Sequence, residues 1–337
     1  MVKLDLKDKR ILTVLDESAR TPLSKIAAKV GLSKQLVDYR IKSLIRRGII
    51  NGFTIRCDLT KFGYSTYGVY LRLRNLTEKR EKEIIEILVN HPFTKWVVLC
   101  EGRWDLAFSL SARDVVDFDS KFSKILEQIG SNVERYDTNI VLKLREFYHN
   151  LLEEKSIYKI KPIYHEFSSQ KKAEKIDSID VKILKELQLN SRASLVSIAR
   201  KLKVSSDIIR YRMNNLIKKG IILEFRTRLG YRTLGYSWYQ LIIDLRRFPE
   251  AEEKKFFGIV QTIPSITYLV KCIGKWDLEI HVRALNTEHF RKVLKKIRHS
   301  LSAFIVSYDT MIIFKRYKSR AIPRGVAQEL LKGAKKK

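Results

Sequence analysis

At 337 residues the chain is too long for one ordinary core and long enough for two to four domains. Its 45% hydrophobic and 31% charged residues, with apolar positions that recur periodically, exclude a disordered chain. The 67 Lys+Arg against 37 Asp+Glu leave a formal charge of +30, a field that draws nucleic acid or acidic lipid, but a Lys- and Ile-rich composition accounts for that charge equally well, so a motif has to decide.

In chain order, Asp5 is an N-cap with Asp8 three residues on, ahead of Ile11, Leu12 and Leu15 at helical spacing. A second helix follows Pro22, buries Ile26, Ala27 and Val30, and stops at Gly31, a residue suited to the left-handed C-cap. Ser33 caps a third helix with Val37, Ile41 and Leu44 inward, Gly48 ends it, and IINGFTIR alternates like a short wing strand. Three helices, a tight turn and a strand make a winged helix-turn-helix. The period then changes. YSTYGVYLRLR reads as a strand, EKREKEIIEILVN as a helix, WVVLCEG and WDLAFSLSA as a hairpin closed at Gly102, DVVDFDSKFSKILEQI as a helix and VERYDTNIVLKLREF as a long strand. That order is the ferredoxin-like βαββαβ, a sheet with one open face.

The whole pattern occurs twice. Residues 4–53 align without gaps to 176–225 at an offset of 172, with 19 of 50 positions identical, and the same offset carries Gly102, Trp104 and Asp105 onto Gly274, Trp276 and Asp277. The expected fold is therefore α+β: two winged helix-turn-helix domains at 1–56 and 176–228, each followed by a ferredoxin-like domain at 62–148 and 234–318. Residues 149–175 read as a linker and 319–337 as a basic tail.

The run Asp5, Asp8, Ile11-Leu12, Arg20, Ile26-Ala27, Gly31-Leu32-Ser33, Arg40-Ile41, Leu44 and Gly48-x-Ile50 resembles the helix-turn-helix signature of the leucine-responsive regulatory proteins, the Lrp/AsnC family. Gly102-x-x-Asp105 is similar to the hairpin of that family's effector domain, and the likeness covers nearly all of both copies. The resemblance implies a DNA-binding transcription regulator whose small domains pair their sheets and bind amino-acid effectors at the interface. A fused tandem of this kind is then a single-chain pseudo-dimer, and homo-oligomers form through the ferredoxin-like sheets. Cys100-Glu101-Gly102 and Cys272-Ile273-Gly274 depart from the Val-Thr-Gly usual before that hairpin.

A recognition helix meets base edges with its leading exposed residues, which in copy one are Lys34, Gln35, Asp38 and Tyr39, with Lys42, Arg46 and Arg47 placed for phosphates. In copy two the same face reads Ser206, Asp207, Arg210, Tyr211 and Asn214, a different donor and acceptor set that suits a different half-site. Ser33 and Ser205 are N-caps whose helix ends also attract phosphate. Arg40 and Arg212, beside the inward stripe, reach either a phosphate or the retained Asp8 and Asp180, and both readings stand. The hairpin residues Gly102, Arg103, Trp104 and Asp105, with Gly274, Lys275, Trp276 and Asp277, either line an effector cleft or pack against a partner sheet.

Three cysteines, Cys57, Cys100 and Cys272, without CxxC spacing argue against a disulfide framework or a structural zinc and fit a reducing compartment. The six histidines show no HxxH or HExxH spacing, so no metal, cofactor or catalytic group is expected. MVKLDLKDKR lacks a long apolar stretch and no run of about 18 apolar residues occurs, so a cytoplasmic protein away from membranes is expected. Two other functions compete. One is an enzyme of the siroheme decarboxylase type, which resembles this family in pairs of such units but relies on His and Arg in its small domain, and EGRWDL and IGKWDL contain no histidine. The other is an architectural protein that coats DNA without sequence choice.

Overall fold

The computed structural model describes residues 4–147, 163–166 and 173–335. The first copy runs α1 (Leu6–Glu17), α2 (Leu23–Val30), α3 (Lys34–Arg46), β1 (Ile50–Cys57), β2 (Ser65–Leu73), α4 (Glu78–Asn90), β3 (Thr94–Glu101), β4 (Leu106–Ala112), α5 (Val115–Ile129) and β5 (Val133–Glu146). A short β6 (Ile163–Glu166) pairs with the end of β5, and so interrupts the stretch read as a linker, whose residues 149–162 and 167–172 lie outside the described residues. The second copy runs α6 (Ser178–Leu189), α7 (Leu195–Leu202), α8 (Ser206–Lys218), β7 (Ile222–Leu229), β8 (Ser237–Leu245), α9 (Glu250–Val260), β9 (Ile266–Gly274), β10 (Leu278–Ala284), α10 (Thr287–Ser300), β11 (Ile305–Ser319) and α11 (Arg324–Lys335). Both copies have the expected three helices, strand and βαββαβ order.

The strand read as a wing does not fold back on its own copy. β1 pairs antiparallel with β7 of the other copy, Phe53 opposite Thr227 and Ile55 opposite Phe225. Neither helical head supplies a second strand, and a lone strand leaves a row of backbone N–H and C=O groups unpaired, so the two heads satisfy each other. A reciprocal pair of arginines reinforces the crossing. Arg20 Nη1 donates to the carbonyls of Ser191 and Ala193 at 2.6 and 2.9 Å, while Arg192 Nη1 donates to those of Ala19 and Thr21.

The open sheet faces predicted for the two small domains turn toward each other. Within each copy the strands lie in the orders β5-β2-β4-β3 and β9-β10-β8-β11, and the two sheets join along two seams, β3 with β11 and β5 with β9. The result is a closed antiparallel barrel of eight strands. Helices α4 and α5 cover one half with Ile84, Leu88, Phe122 and Ile125, and α9 and α10 the other with Phe256, Val260, Val293 and Ile297. Each hairpin turn is pressed into the opposite half. Gly102 and Gly274 sit at φ of 134° and 135°, and a Cβ there would fall 3.0 Å from the Thr310 carbonyl oxygen and 2.8 Å from that of Thr138.

The basic tail also needs correction, because most of it is α11, which places Val326 and Ala327 in the core of the second head against α6. Glu329 on this helix reaches back to the first copy, accepting from Arg113 at 2.7 Å and from the Tyr64 hydroxyl. A run rich in lysine conceals an apolar stripe at 326, 327, 330 and 331.

Candidate nucleic-acid interface

The leading ends of both recognition helices are exposed, with Ser33, Lys34 and Ser205 open to solvent and Ser206 part-exposed. Ser33 Oγ accepts from the Leu36 amide at 3.2 Å and Ser205 Oγ from the Ile208 amide at 3.3 Å. Behind these caps, Val37, Ile41 and Leu44 anchor α3, and Ile209, Met213 and Leu216 anchor α8. The helical period then leaves Lys34, Gln35, Tyr39, Lys42 and Arg46 exposed on the first head, with Asp38 part-exposed, and Asp207, Arg210, Tyr211 and Asn214 exposed on the second, with Ser206 part-exposed. Tyr39 and Tyr211 are 61% and 70% exposed, far more than an aromatic ring with a packing role retains. The turn before each helix is left-handed: Gly31 takes it in the first head, and Lys203 takes it at φ 56° in the second.

Not every candidate is free. Arg40 Nη1 binds Asp5 and Asp8 at 2.6 and 2.8 Å, and Arg212 Nη1 binds Asp177 and Asp180 at 2.6 and 3.1 Å. Hydrogen bonds to the two carboxylates raise the Arg40 pKa, and the same bonds outweigh burial at Arg212. Of the two readings of these arginines, the geometry here is that of the structural ion pair joining α3 to α1 and α8 to α6. Arg47 also leans on Asp8, at 3.4 Å, and Lys42 pairs along its helix with Asp38 at 2.7 Å. Arg210 and Asp207 form a similar exposed pair at 2.7 Å, worth little in water and easily exchanged for a phosphate or a base edge.

The hairpins bury their tryptophans and leave Gly102, Gly274 and Lys275 exposed. Trp104 and Trp276 are buried inside the barrel, their rings 5.3 Å apart beside Tyr70, and their indole N–H groups donate to Asp137 and Glu279 at 2.9 Å each. Asp105 and Asp277 accept from the Leu73 and Leu245 amides, and Arg103 pairs across the seam with Asp309 at 2.6 Å. The Lys275 amide points at the Thr138 carbonyl, 3.4 Å away. Of the two readings of Gly102, Arg103, Trp104, Asp105, Gly274, Lys275, Trp276 and Asp277, the geometry of both indoles is that of packing: tight turns drive them inward, where burial is most favourable.

A charge cluster that the sequence did not reveal fixes the heads to the barrel. Glu146 at the end of β5 receives Arg56 of β1 at 2.7 Å, Arg226 of β7 at 3.2 Å and the Tyr268 hydroxyl at 2.8 Å. Burial alone would raise its pKa, but the two guanidinium charges outweigh it and hold the carboxyl well below the usual range. Arg226 also meets Asp16 of α1 and Glu224 at 3.4 and 3.5 Å. Its members are scattered over positions 16, 56, 146, 224, 226 and 268, and only the strand crossing brings them together. Among the described residues no three His, Cys, Asp or Glu side chains converge as a metal site, and no helix is long and apolar enough to cross a membrane.

Fold and surface define a tandem winged-helix protein, two unlike helical heads carried on one barrel. The chain matches the winged helix-turn-helix DNA-binding family at 4–51 and 176–222 and the Lrp/AsnC ligand binding domain at 241–323. It is 34% identical over 145 residues to the transcriptional regulator LrpA of Pyrococcus horikoshii, covering 42% of this chain and 99% of that one. It is 28% identical over 141 residues to the transcriptional regulator LysM of Saccharolobus solfataricus, covering 41% and 94%. The chain belongs to the Lrp/AsnC family of transcription regulators, in tandem-duplicated form. The siroheme decarboxylase NirDL superposes with a TM-score of 0.64 over 98% of this chain and 99% of its own, at 12% identity, so it shares the fold.

Proposed function

We propose that the chain is a sequence-specific regulator of double-stranded DNA in which α3 and α8 read two unlike half-sites, about 34 Å apart if presented as in a dimer. The observation that carries this reading is the exposure of both leading helix ends with different side chains, Lys34 and Gln35 on one head against Ser206 and Asp207 on the other. Basic groups at 34, 42, 46 and 210 supply the sequence-independent attraction, and the unlike residues supply the choice of base pairs. Fragments of the host genome selected by the protein should share an asymmetric site protected as one long footprint. Affinity should fall by several decades between low and physiological salt, for roughly six to ten phosphate contacts. Lys34→Ala with Gln35→Ala should relax preference in one half-site only. Equal affinity for random DNA would make the protein architectural and overturn the reading.

The decarboxylase alternative has only the shared fold in its favour. Purified protein mixed with siroheme should leave the absorbance spectrum unchanged.

A further inference from the structure

The inside of the barrel is not filled symmetrically. Where the second copy carries Gln240, Glu279 and His281, the first has Gly68, Ala107 and Ser109 at the offset of 172, and Asn139 of the first copy answers to Met311. The dyad-related positions thus differ, and together they give one buried polar group built on Asn139, Gln240 and Glu279. Asn139 Nδ2 donates to Glu279 Oε1 at 2.6 Å, Gln240 Nε2 donates to Glu279 Oε2 at 3.2 Å and to the Tyr70 hydroxyl at 2.8 Å, and Trp276 completes the set. Gly68 is what admits Asn139, since a Cβ there would fall 2.3 Å from Asn139 Oδ1. Gly68, Ala107 and Met311, the dyad-related partners of Gln240, Glu279 and Asn139, carry no side-chain hydrogen-bonding group, so this polar set has no counterpart in the repeat.

Beside it lies a cavity of about 160 Å³ to which all eight barrel strands contribute, with its mouth under β1. Trp96, Trp238 and Tyr268 give it an aromatic lining, with the two indoles inclined at 60° to each other. At the inner end Asn139 Oδ1 and Thr66 Oγ1 are buried and have no hydrogen-bond partner among the described residues. The Asn139 amide orientation is fixed, because a flip would lose the bond to Glu279. At the mouth stand Lys95, Arg316 and Arg320 together with Asp58, and none of the three cations makes a salt bridge to a described carboxylate, although Asp58 acts on Lys95 through its field. The cavity therefore presents cations at one end, acceptors at the other and π-faces between, with room for one ring.

We propose that this cavity is a binding site for a small flat organic acid: a carboxylate at Lys95 and Arg316, a ring against Trp96 and Trp238, and an N–H or O–H donated to Asn139 Oδ1. It occurs once per chain, because the apolar counterparts in the other half cannot reproduce it. The site is separate from the hairpins at 102–105 and 274–277 and does not depend on DNA binding, so its failure would leave the regulator reading untouched.

All four tryptophans line the barrel interior or its cavity, so intrinsic fluorescence reports this compartment. With the full chain, 4-aminobenzoate should change that emission saturably at one equivalent per chain. Benzoate, which lacks the donor, and 4-aminobenzamide, which lacks the charge, should each bind about tenfold more weakly or worse. Lys95→Gln with Arg316→Gln, at partly exposed positions, should keep the native melting temperature and lose at least about tenfold in affinity for 4-aminobenzoate. Asn139→Leu should remove the advantage of 4-aminobenzoate over benzoate. No saturable change at millimolar 4-aminobenzoate, equal binding of the three compounds, or native affinity in the Lys95/Arg316 variant would each overturn the proposal. Should Asn139→Leu fail to fold, the three compounds on the native chain still decide.

Discussion

Glu146 is the carboxylate through which both crossed strands reach the barrel, and its loss would leave the part-buried Arg56 without its carboxylate and Arg226 with only Asp16 and Glu224. Glu146→Gln keeps the shape and removes the charge, so it should cost up to about 3 kcal/mol in chemical unfolding, the low end for a broken buried pair because Arg226 keeps Asp16 and Glu224. Two histidines set a pH response of definite sign. Burial pushes His281 down to about 3 and, together with Lys318, His91 down to about 4, so both stay neutral in the fold while the unfolded chain protonates below its ordinary value. Their contribution is complete above about pH 6.5 and is lost as pH falls, each at up to about 1.4 kcal/mol per pH unit. Glu224, raised to about 7 chiefly by burial, acts oppositely, contributing below about pH 4.5 and losing its contribution as pH rises toward 7. Between about pH 5 and 6 each histidine gives stability a positive pH slope, opposed by Glu224 and by Glu279, whose carboxyl burial likewise raises. His281→Gln should flatten that slope in a denaturant series, and an unchanged slope would show that His281 is not held neutral.

At the scale of elements, the helices were readable because each announces itself locally, by a cap, a stripe and a stop. Asp5 and Ser33 cap as their spacing implies, and Asp177 of the second copy caps α6 within a reciprocal box with Asp180. The strand at 50–57 was readable as a strand but not by its partner, because backbone pairing leaves no mark in side-chain pattern beyond alternation. Helix α11 escaped notice because six Lys or Arg residues in 319–337 mark the stretch as basic, while its apolar stripe at 326, 327, 330 and 331 emerges only at helical spacing. Arg40 and Arg212 show the same limit within one residue: the sequence places a guanidinium at the helix border, and only the approach of α1 and α6 gives it carboxylates. The hairpin turns carry a sharper expectation. Gly102→Ala or Gly274→Ala would force a side chain into a left-handed backbone against an opposing carbonyl. Either change should lower stability by more than about 1 kcal/mol in thermal unfolding, whereas Ala at Gly130, with φ −59° and open space around it, should not.

Over the whole molecule the two copies are joined by the β1–β7 ribbon, by both barrel seams and by α11, independently of residues 148–172. Separate chains 1–147 and 173–337, co-expressed, should therefore purify together in a 1:1 complex, and free halves on a sizing column would contradict the closed barrel. The cavity could not be read in advance because its lining runs from Arg56 to Arg320 and converges only when the last strand closes. That late closure also governs how the protein is made. β1, β3 and β5 find their partners in β7, β11 and β9, all encoded in the second half, so a ribosome that has released the first copy holds three bare strand borders. At ordinary elongation rates they wait on the order of ten seconds for residue 319. Neighbouring ribosomes on one messenger bring two such nascent chains together in that interval, and exchange of strands between them would give intertwined dimers whose share grows when translation of the second half is slowed.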